Sequence, residues 1–304
     1  MLPLFWDVFR PLRWYRNLFM LLGAALAVKY SELAIDGDLL RRVAQAFAGL
    51  CLVASGNYGI NEILDASSDR HHPQKKHRAI PSGRLGMLPV LLLSILFYVG
   101  GVAVVWSMPG PWVQIALALL WLSGMTYNVR PIRSKDIPYA DFLSEALNNP
   151  IRLAVGWYAV VAPAVVVPSS LLLAFWFLGA FLMASKRFGE LRFIQDPTAS
   201  ASYRASLGSY SEKSLLIAMI ASLSAFAFMF GALCMKHSVD LMLLLPLLVG
   251  YIIWFFHLAY EHNSIIKDLE RIFEKKGFLA YSTFLGVLFI YLVWSGDQVL
   301  GFLH

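Results

Sequence analysis

Long apolar stretches alternate with short polar ones along the whole chain, and the length of each stretch decides what it forms. Apolar runs fall near residues 17–35, 42–60, 87–107, 112–128, 142–162, 169–187, 213–235, 239–260 and 277–295. Each is roughly 17 to 25 residues, enough to cross a bilayer core of ~30 Å as a helix. Inside lipid a helix satisfies its own backbone N–H and C=O groups, so the pattern predicts an all-α, polytopic bundle of about nine transmembrane helices. Segments of about ten residues with strict alternation, the mark of a membrane barrel, do not occur. No linker or water-soluble segment interrupts the series, and residues 1–304 read as a single transmembrane domain.

Composition agrees: the 304 residues are 59% hydrophobic and 14% charged, with a mean hydropathy of +0.63. Cys51 and Cys234 both fall inside apolar runs and read as small hydrophobes. The basic start, with Arg10, Arg13 and Arg16 before the first run, has the look of a signal peptide, but no small-residue cleavage site with polar sequence follows. Twenty of the 25 Lys and Arg fall in connections on one side of the predicted membrane. The positive-inside rule makes that side cytoplasmic, with the N-terminus and the long polar loops inside. The net charge of +6 is this topology signal, and it calls for no nucleic-acid partner. Oligomeric state is left open.

Ionisable groups at a membrane boundary are costly and usually bind a substrate or an ion. The densest group is Asn61 to Arg84, NEILDASSDRHHPQKKHRAIPSGR, with three acids, five cations and three histidines between two apolar runs. Asn61, Asp65 and Asp69 are spaced i, i+4, i+8 and share one stripe of a helix, about 12 Å long. Hard cations take such oxygens while keeping substrate phosphates in their other positions, so the stripe suits a Mg²⁺–diphosphate clamp. Glu62 projects about 100° away and is a weaker candidate. His71, His72 and His77 lie among Lys75, Lys76 and Arg78, which disfavour zinc; the three histidines read as loop residues or phosphate contacts. A solvated helix end with incidental acids is the bland alternative.

Three more cytoplasmic loops carry candidates. Tyr127 and Lys135 precede Asp141, Glu145, Asn148 and Arg152, a polar column that enters the fifth run and is expected to line the site opposite Asp65 and Asp69. Its alternative is structural, with Arg152 neutralising Glu145. After the sixth run come Lys186, Arg187 and Glu190, then Tyr203 and Arg204; the cations fit either a membrane anchor or a phosphate grip. The last loop, 261–276, is amphipathic and is expected at the membrane interface.

The stretch NEILDASSDRHHPQKKHRAIPSGR resembles the first aspartate-rich signature of the UbiA superfamily of intramembrane prenyltransferases, written NDxxDxxxD and followed by a segment like RPIPSGR. The resemblance covers nearly the whole chain. It implies a bundle around a central cavity open to the cytoplasm and to lipid, with Mg²⁺ holding a phosphorylated donor. Asn61, Asp65 and Asp69 take the metal-clamp positions, and Glu62 stands where the family usually has Asp. Members that use prenyl diphosphates show DxxxD after the sixth span; residues 188–212 hold only Glu190, Asp196 and Glu212. In its place stand KRFGELR and YRASLGSYS, which with FRPLRWYRN are similar to the decaprenyl-phosphate phosphoribosyltransferase branch.

That branch implies transfer of phosphoribose from phosphoribosyl diphosphate to a polyprenyl phosphate. Asp65, Asp69, Asp141 and Glu145 are then the catalytic candidates. Lys75, Lys76, Arg78, Lys186 and Arg187 are expected at donor phosphates and Arg152 at the acceptor phosphate. The alternative keeps the clamp but takes a prenyl diphosphate as donor and an aromatic or lipid acceptor. A transporter or scaffold is the reading from another class, and no internal repeat supports it.

Overall fold

The structure, a computed structural model, describes residues 2–70, 75–161, 165–194, 200, 203–237, 239–260 and 275–295. His71, His72, and residues 261–274 of the amphipathic segment lie outside the described residues. Among those described, helices α1 (Leu2–Phe9), α2 (Met20–Ser31), α3 (Gly37–Asp69), α4 (Met87–Val105), α5 (Trp112–Asn128), α6 (Ala140–Ala146), α7 (Asn148–Val160), α8 (Ser169–Ile194), α9 (Glu212–His237), α10 (Leu244–Tyr260) and α11 (Lys276–Ser295) account for the architecture, and no strand is present. Each of the nine apolar runs contains a helix. Among the described residues six helices are long and apolar enough to cross a membrane: α3, α4, α8, α9, α10 with the 3₁₀ turn before it, and α11. Helices α2, α5 and α7, of 12, 17 and 13 residues, fall short of that length.

The fifth apolar run is not one helix. It is divided into α6 and α7 at Leu147. Pro150 has no N–H to offer the Ala146 carbonyl one turn back, so the hydrogen-bond ladder is interrupted there. The column Asp141, Glu145, Asn148, Arg152 is broken with it.

The chain forms two compact units. The first comprises residues 1–134 and 151–167. Its longest element, α3, starts where the Asp36 carboxylate accepts the Leu39 N–H at 2.8 Å, a helix N-cap. At 33 residues it is about 50 Å long, well beyond a bilayer core of ~30 Å. Asn61, Asp65 and Asp69 lie in its last turns. Met20, Leu50, Val53, Leu117 and Val155 form the core around it. Helices α2 and α7 touch backbone to backbone: a Cβ on Gly156 would lie 1.8 Å from the Met20 carbonyl oxygen, and one on Gly23 2.1 Å from that of Leu153. Small residues at such crossings let membrane helices approach closely.

The second unit comprises residues 135–150 and 168–304. Helices α8 and α9 pack along most of their length, α6 lies on α8, and Phe181, Phe188, Leu215, Met219, Phe255 and Phe278 fill the core.

A side chain at Gly156 has only backbone to displace. Gly156→Leu is expected to lower the stability of the detergent-purified protein by about 2 kcal/mol or more. Gly231→Leu, at a site with nothing within 4 Å, leaves the melting temperature nearly unchanged. Fluorescence-detected size-exclusion melting curves of the two variants check this.

Candidate functional site

In the first unit the acidic stripe on α3 is matched by arginines from elsewhere in the chain. Asp69, only 4% exposed, takes the Arg78 guanidinium at 2.7 Å on Oδ2, and the Lys75 ammonium lies 4.0 Å from Oδ1. One turn back, Asp65 Oδ1 is 3.1 Å from Arg133 Nη2, while Arg133 Nη1 donates to the Asn128 carbonyl at the end of α5. Asn61 is half-buried one turn further down. Two carboxylates and an amide thus occupy one stripe, each acid already facing cations. Glu62 points elsewhere, as its offset of about 100° predicts. It is buried, accepts the Ile80 N–H at 3.4 Å, and lies 3.9 Å from Arg10.

The segment after the stripe, RAIPSGR, reads physically as a device for holding Arg78. Ala79, Ile80 and Leu85 are buried with Val8, Phe9, Ala66 and Val90. The chain turns back on itself through Ser82 N–H to Arg78 C=O and Leu85 N–H to Ala79 C=O. Gly83 supplies a positive φ of 74° that other residues adopt at a cost. The Arg84 side chain closes the turn on the His77 carbonyl and the Ser82 hydroxyl. His77 and Lys76 are exposed.

Arg10 and Arg13 both stand over the Tyr58 ring, at 5.4 and 5.6 Å from its centroid. Burial, then the like charges of Arg13 and Arg78, lower the Arg10 guanidinium to about 10, with Glu62 and Tyr58 opposing. It therefore stays charged at neutral pH. This end of the unit is a collar of cations around a few acids, an arrangement suited to a polyanion.

In the second unit a different geometry appears. The fully buried Arg187 meets three carboxylates: Nε to Asp141 Oδ2 at 2.7 Å, Nη2 to Glu145 Oε2 at 2.8 Å and Nη1 to Glu190 Oε2 at 3.2 Å. The charges of Lys186 and Arg204 also bear on Glu190. Asp141, itself fully buried, accepts two further bonds, from Ser206 Oγ at 3.0 Å and Tyr210 Oη at 2.5 Å. Burial first, then the hydrogen bond to Asp141 and its charge, push the Tyr210 hydroxyl well above its ordinary range, so it remains a donor.

The expectations divide accordingly. Asp65 and Asp69 lie on one stripe, with Lys75 and Arg78 beside it, and Asn61 continues it. Arg187 is corrected: with no exposed surface and three carboxylate partners it is the hub of an internal network and not a surface phosphate grip. Asp141 and Glu145 are turned towards that hub. Arg152 Nε donates to Asn17 Oδ1 at 3.0 Å, and Glu145 takes the Arg187 guanidinium at 2.8 Å. Asn148 Nδ2 bonds the Glu145 carbonyl, Lys135 is buried at 6% exposure, and Tyr127, Tyr203 and Arg204 are half-buried. Arg133, Ser206 and Tyr210 were not singled out by their chemistry, although RPIR and YRASLGSYS carry them. Among the described residues no three His, Cys, Asp or Glu side chains converge as a ready metal site.

The profile of the UbiA prenyltransferase family matches residues 17–273. The decaprenyl-phosphate phosphoribosyltransferase of Mycolicibacterium smegmatis is 28% identical over 244 residues, which cover 77% of this chain and 72% of that protein. The chloroplastic homogentisate solanesyltransferase of Arabidopsis thaliana is 31% identical over 129 residues, 41% of this chain and 33% of that one. Among solved structures, a UbiA homolog from Archaeoglobus fulgidus bound to DMAPP and Mg²⁺ superimposes with a TM-score of 0.67 at 18% identity, over 97% of this chain and 99% of that one. Identity that low makes this a likeness of fold.

Removing the cation from a buried cluster leaves its carboxylates uncompensated, at a cost of about 3 to 5 kcal/mol. Arg187→Met is expected to melt far below the wild type, and Arg187→Lys to recover little, because one ammonium cannot reach three carboxylates in a planar fork. Melting curves in detergent measure both; an unchanged midpoint for Arg187→Met contradicts the hub.

Proposed function

The chain belongs to the UbiA prenyltransferase family, and on that premise we propose that it is a Mg²⁺-dependent integral-membrane transferase that moves phosphoribose from phosphoribosyl diphosphate to a polyprenyl phosphate. The observation that carries the metal-dependent part is the stripe of Asp65 and Asp69 within a ring of Lys75, Arg78 and Arg133. The phosphoribosyl part is supported by the Mycolicibacterium relative and by KRFGELR standing where prenyl-diphosphate users have DxxxD. The family match runs through both compact units, which supports their working as one domain. The basic loops support a cytoplasmic site.

The donor set fits a hard cation: two carboxylates one turn apart, with the Asn61 amide a turn further along. Asp65 and Asp69, with Asn61, would hold Mg²⁺, which when bound neutralises a diphosphate leaving group. The chain's own cations do the rest. Arg78, Arg133 and Lys75 neutralise the two aspartates here; in the loaded enzyme they turn to the donor phosphates, where charge-assisted bonds are strongest. Lys76, exposed beside them, adds a further contact. As the bond from the ribose 1-carbon to the diphosphate breaks, that carbon becomes electron-poor and is attacked by an oxygen of the acceptor phosphate. The acceptor is already anionic, so no strong general base is needed. Arg152, a cation within an apolar segment of the chain, is assigned to the acceptor phosphate. Lys135, Tyr127, Asn148, Tyr203 and Arg204 are assigned to donor contacts. Asp141, Glu145 and Glu190 act through Arg187 as a positioning frame.

The second reading, prenyl transfer from a prenyl diphosphate, keeps the same clamp and is favoured by the structure of the Archaeoglobus homolog bound to DMAPP and Mg²⁺.

Asp65→Asn and Asp69→Asn keep the size of each side chain and remove its charge. Each is expected to fold, to melt within a few degrees of the wild type, and to lose turnover by about 100-fold or more. Wild-type activity is expected to vanish in EDTA and return with Mg²⁺. Folded variants that retain wild-type turnover refute the clamp.

A further inference from the structure

Tyr210, in the second unit, joins a buried carboxylate to the backbone of the loop that carries Tyr139. Its hydroxyl donates to Asp141 Oδ1 at 2.5 Å and accepts the Tyr139 backbone N–H, also at 2.5 Å. Its ring meets the Tyr139 ring edge-on, with centroids 5.5 Å apart. Tyr139 sits at φ 66° and ψ −41°, a conformation that side chains other than glycine adopt at a cost and hold only where the surroundings impose it. The other end of the contact is rigid: Asp141 is bound by the Arg187 guanidinium and by Ser206, four residues before Tyr210 across a short 3₁₀ turn. The segment YRASLGSYS, which begins with the Tyr203 and Arg204 assigned above to the donor, thus also supplies both hydroxyls that grip Asp141. Immediately before the strained corner lie Lys135 and Asp136, in a 3₁₀ turn.

We propose that Tyr210 is a positioning residue for donor binding, clasping the Tyr139 corner to the buried Asp141–Arg187 network and so holding the Lys135 turn in its binding conformation. The role of Lys135 rests on the function proposed above; the clasp itself does not. Without the hydroxyl, Tyr139 loses its N–H partner and relaxes towards an unstrained φ. The turn before it then samples several conformations, and the donor must select one of them on binding. Such a loss weakens donor binding and leaves the chemical step alone.

The test is Tyr210→Phe, which keeps the ring and removes only the hydroxyl, with Tyr281→Phe as control, since that hydroxyl bonds the Leu247 carbonyl elsewhere in the unit. Amide hydrogen exchange of the peptide 134–141 is followed by mass spectrometry, and kinetics are run with whichever diphosphate donor the wild type turns over. The expected result is exchange about tenfold faster in 134–141, a donor KM about tenfold higher and kcat within about twofold, with Tyr281→Phe unchanged in all three. Unchanged exchange in Tyr210→Phe overturns the clasp, whatever the donor proves to be. Faster exchange with an unchanged donor KM overturns the positioning role. If the variant does not fold, the wild type decides: an unprotected Tyr139 amide overturns the clasp. Should the wild type turn over neither donor, the proposed function fails, while the exchange result still decides the clasp.

Discussion

An ionised group in an apolar helical bundle is tolerable only if its charge is answered close by, and guanidinium groups supply that answer for the acids of both compact units. Arg78 faces Asp69, Arg133 faces Asp65, Arg10 approaches Glu62, and Arg187 serves Asp141, Glu145 and Glu190 together. The two kinds of pairing differ in burial. Arg78 and Arg133 retain some solvent exposure and can exchange their carboxylates for another anion. Arg187 has none, and a planar fork with three acids around it holds helix α8 to α6 with little freedom to do anything else.

On the proposed function, this division separates the working residues from the supporting ones. On α3 the acids sit in the last turns of the helix beside partly exposed cations, where under the proposed function a metal would take the carboxylates and the cations would turn to the diphosphate. In the second unit the acids are gathered on a buried guanidinium, and under the proposed role they act through the backbone they fix, at Tyr139 and the turn before it. Glu62 belongs with the supporting group: it departs from the family's usual aspartate, and its longer side chain reaches the Ile80 amide of the turn that presents Arg78.

Much of this was legible in the sequence, because it depends on local spacing. The period of α3 places Asn61, Asp65 and Asp69 on one stripe and turns Glu62 away, and hydropathy locates the helices. What was not legible depends on pairs far apart in the chain. Arg133 and Asp65 are separated by 68 positions and Arg187 and Glu145 by 42, and no periodicity links them. Glu145 and Arg152 stand seven positions apart, a spacing that shares one face of a continuous helix, but Pro150 interrupts the helix between them. That break was present in the sequence as a proline, hidden by averaging hydropathy over a long window. Tyr210 carried no local signal beyond its place in YRASLGSYS, since its meaning comes from Asp141, 69 positions earlier.

The central claim is that the clamp on α3 serves a phosphoribosyl donor. The most direct measurement incubates the detergent-purified protein with Mg²⁺, a polyprenyl phosphate and either labelled phosphoribosyl diphosphate or labelled prenyl diphosphate, and weighs the lipid products. A phosphoribosylated polyprenyl phosphate formed only from the first donor is the predicted result. Prenyl transfer from the second donor, with no phosphoribosyl product from the first, would contradict it.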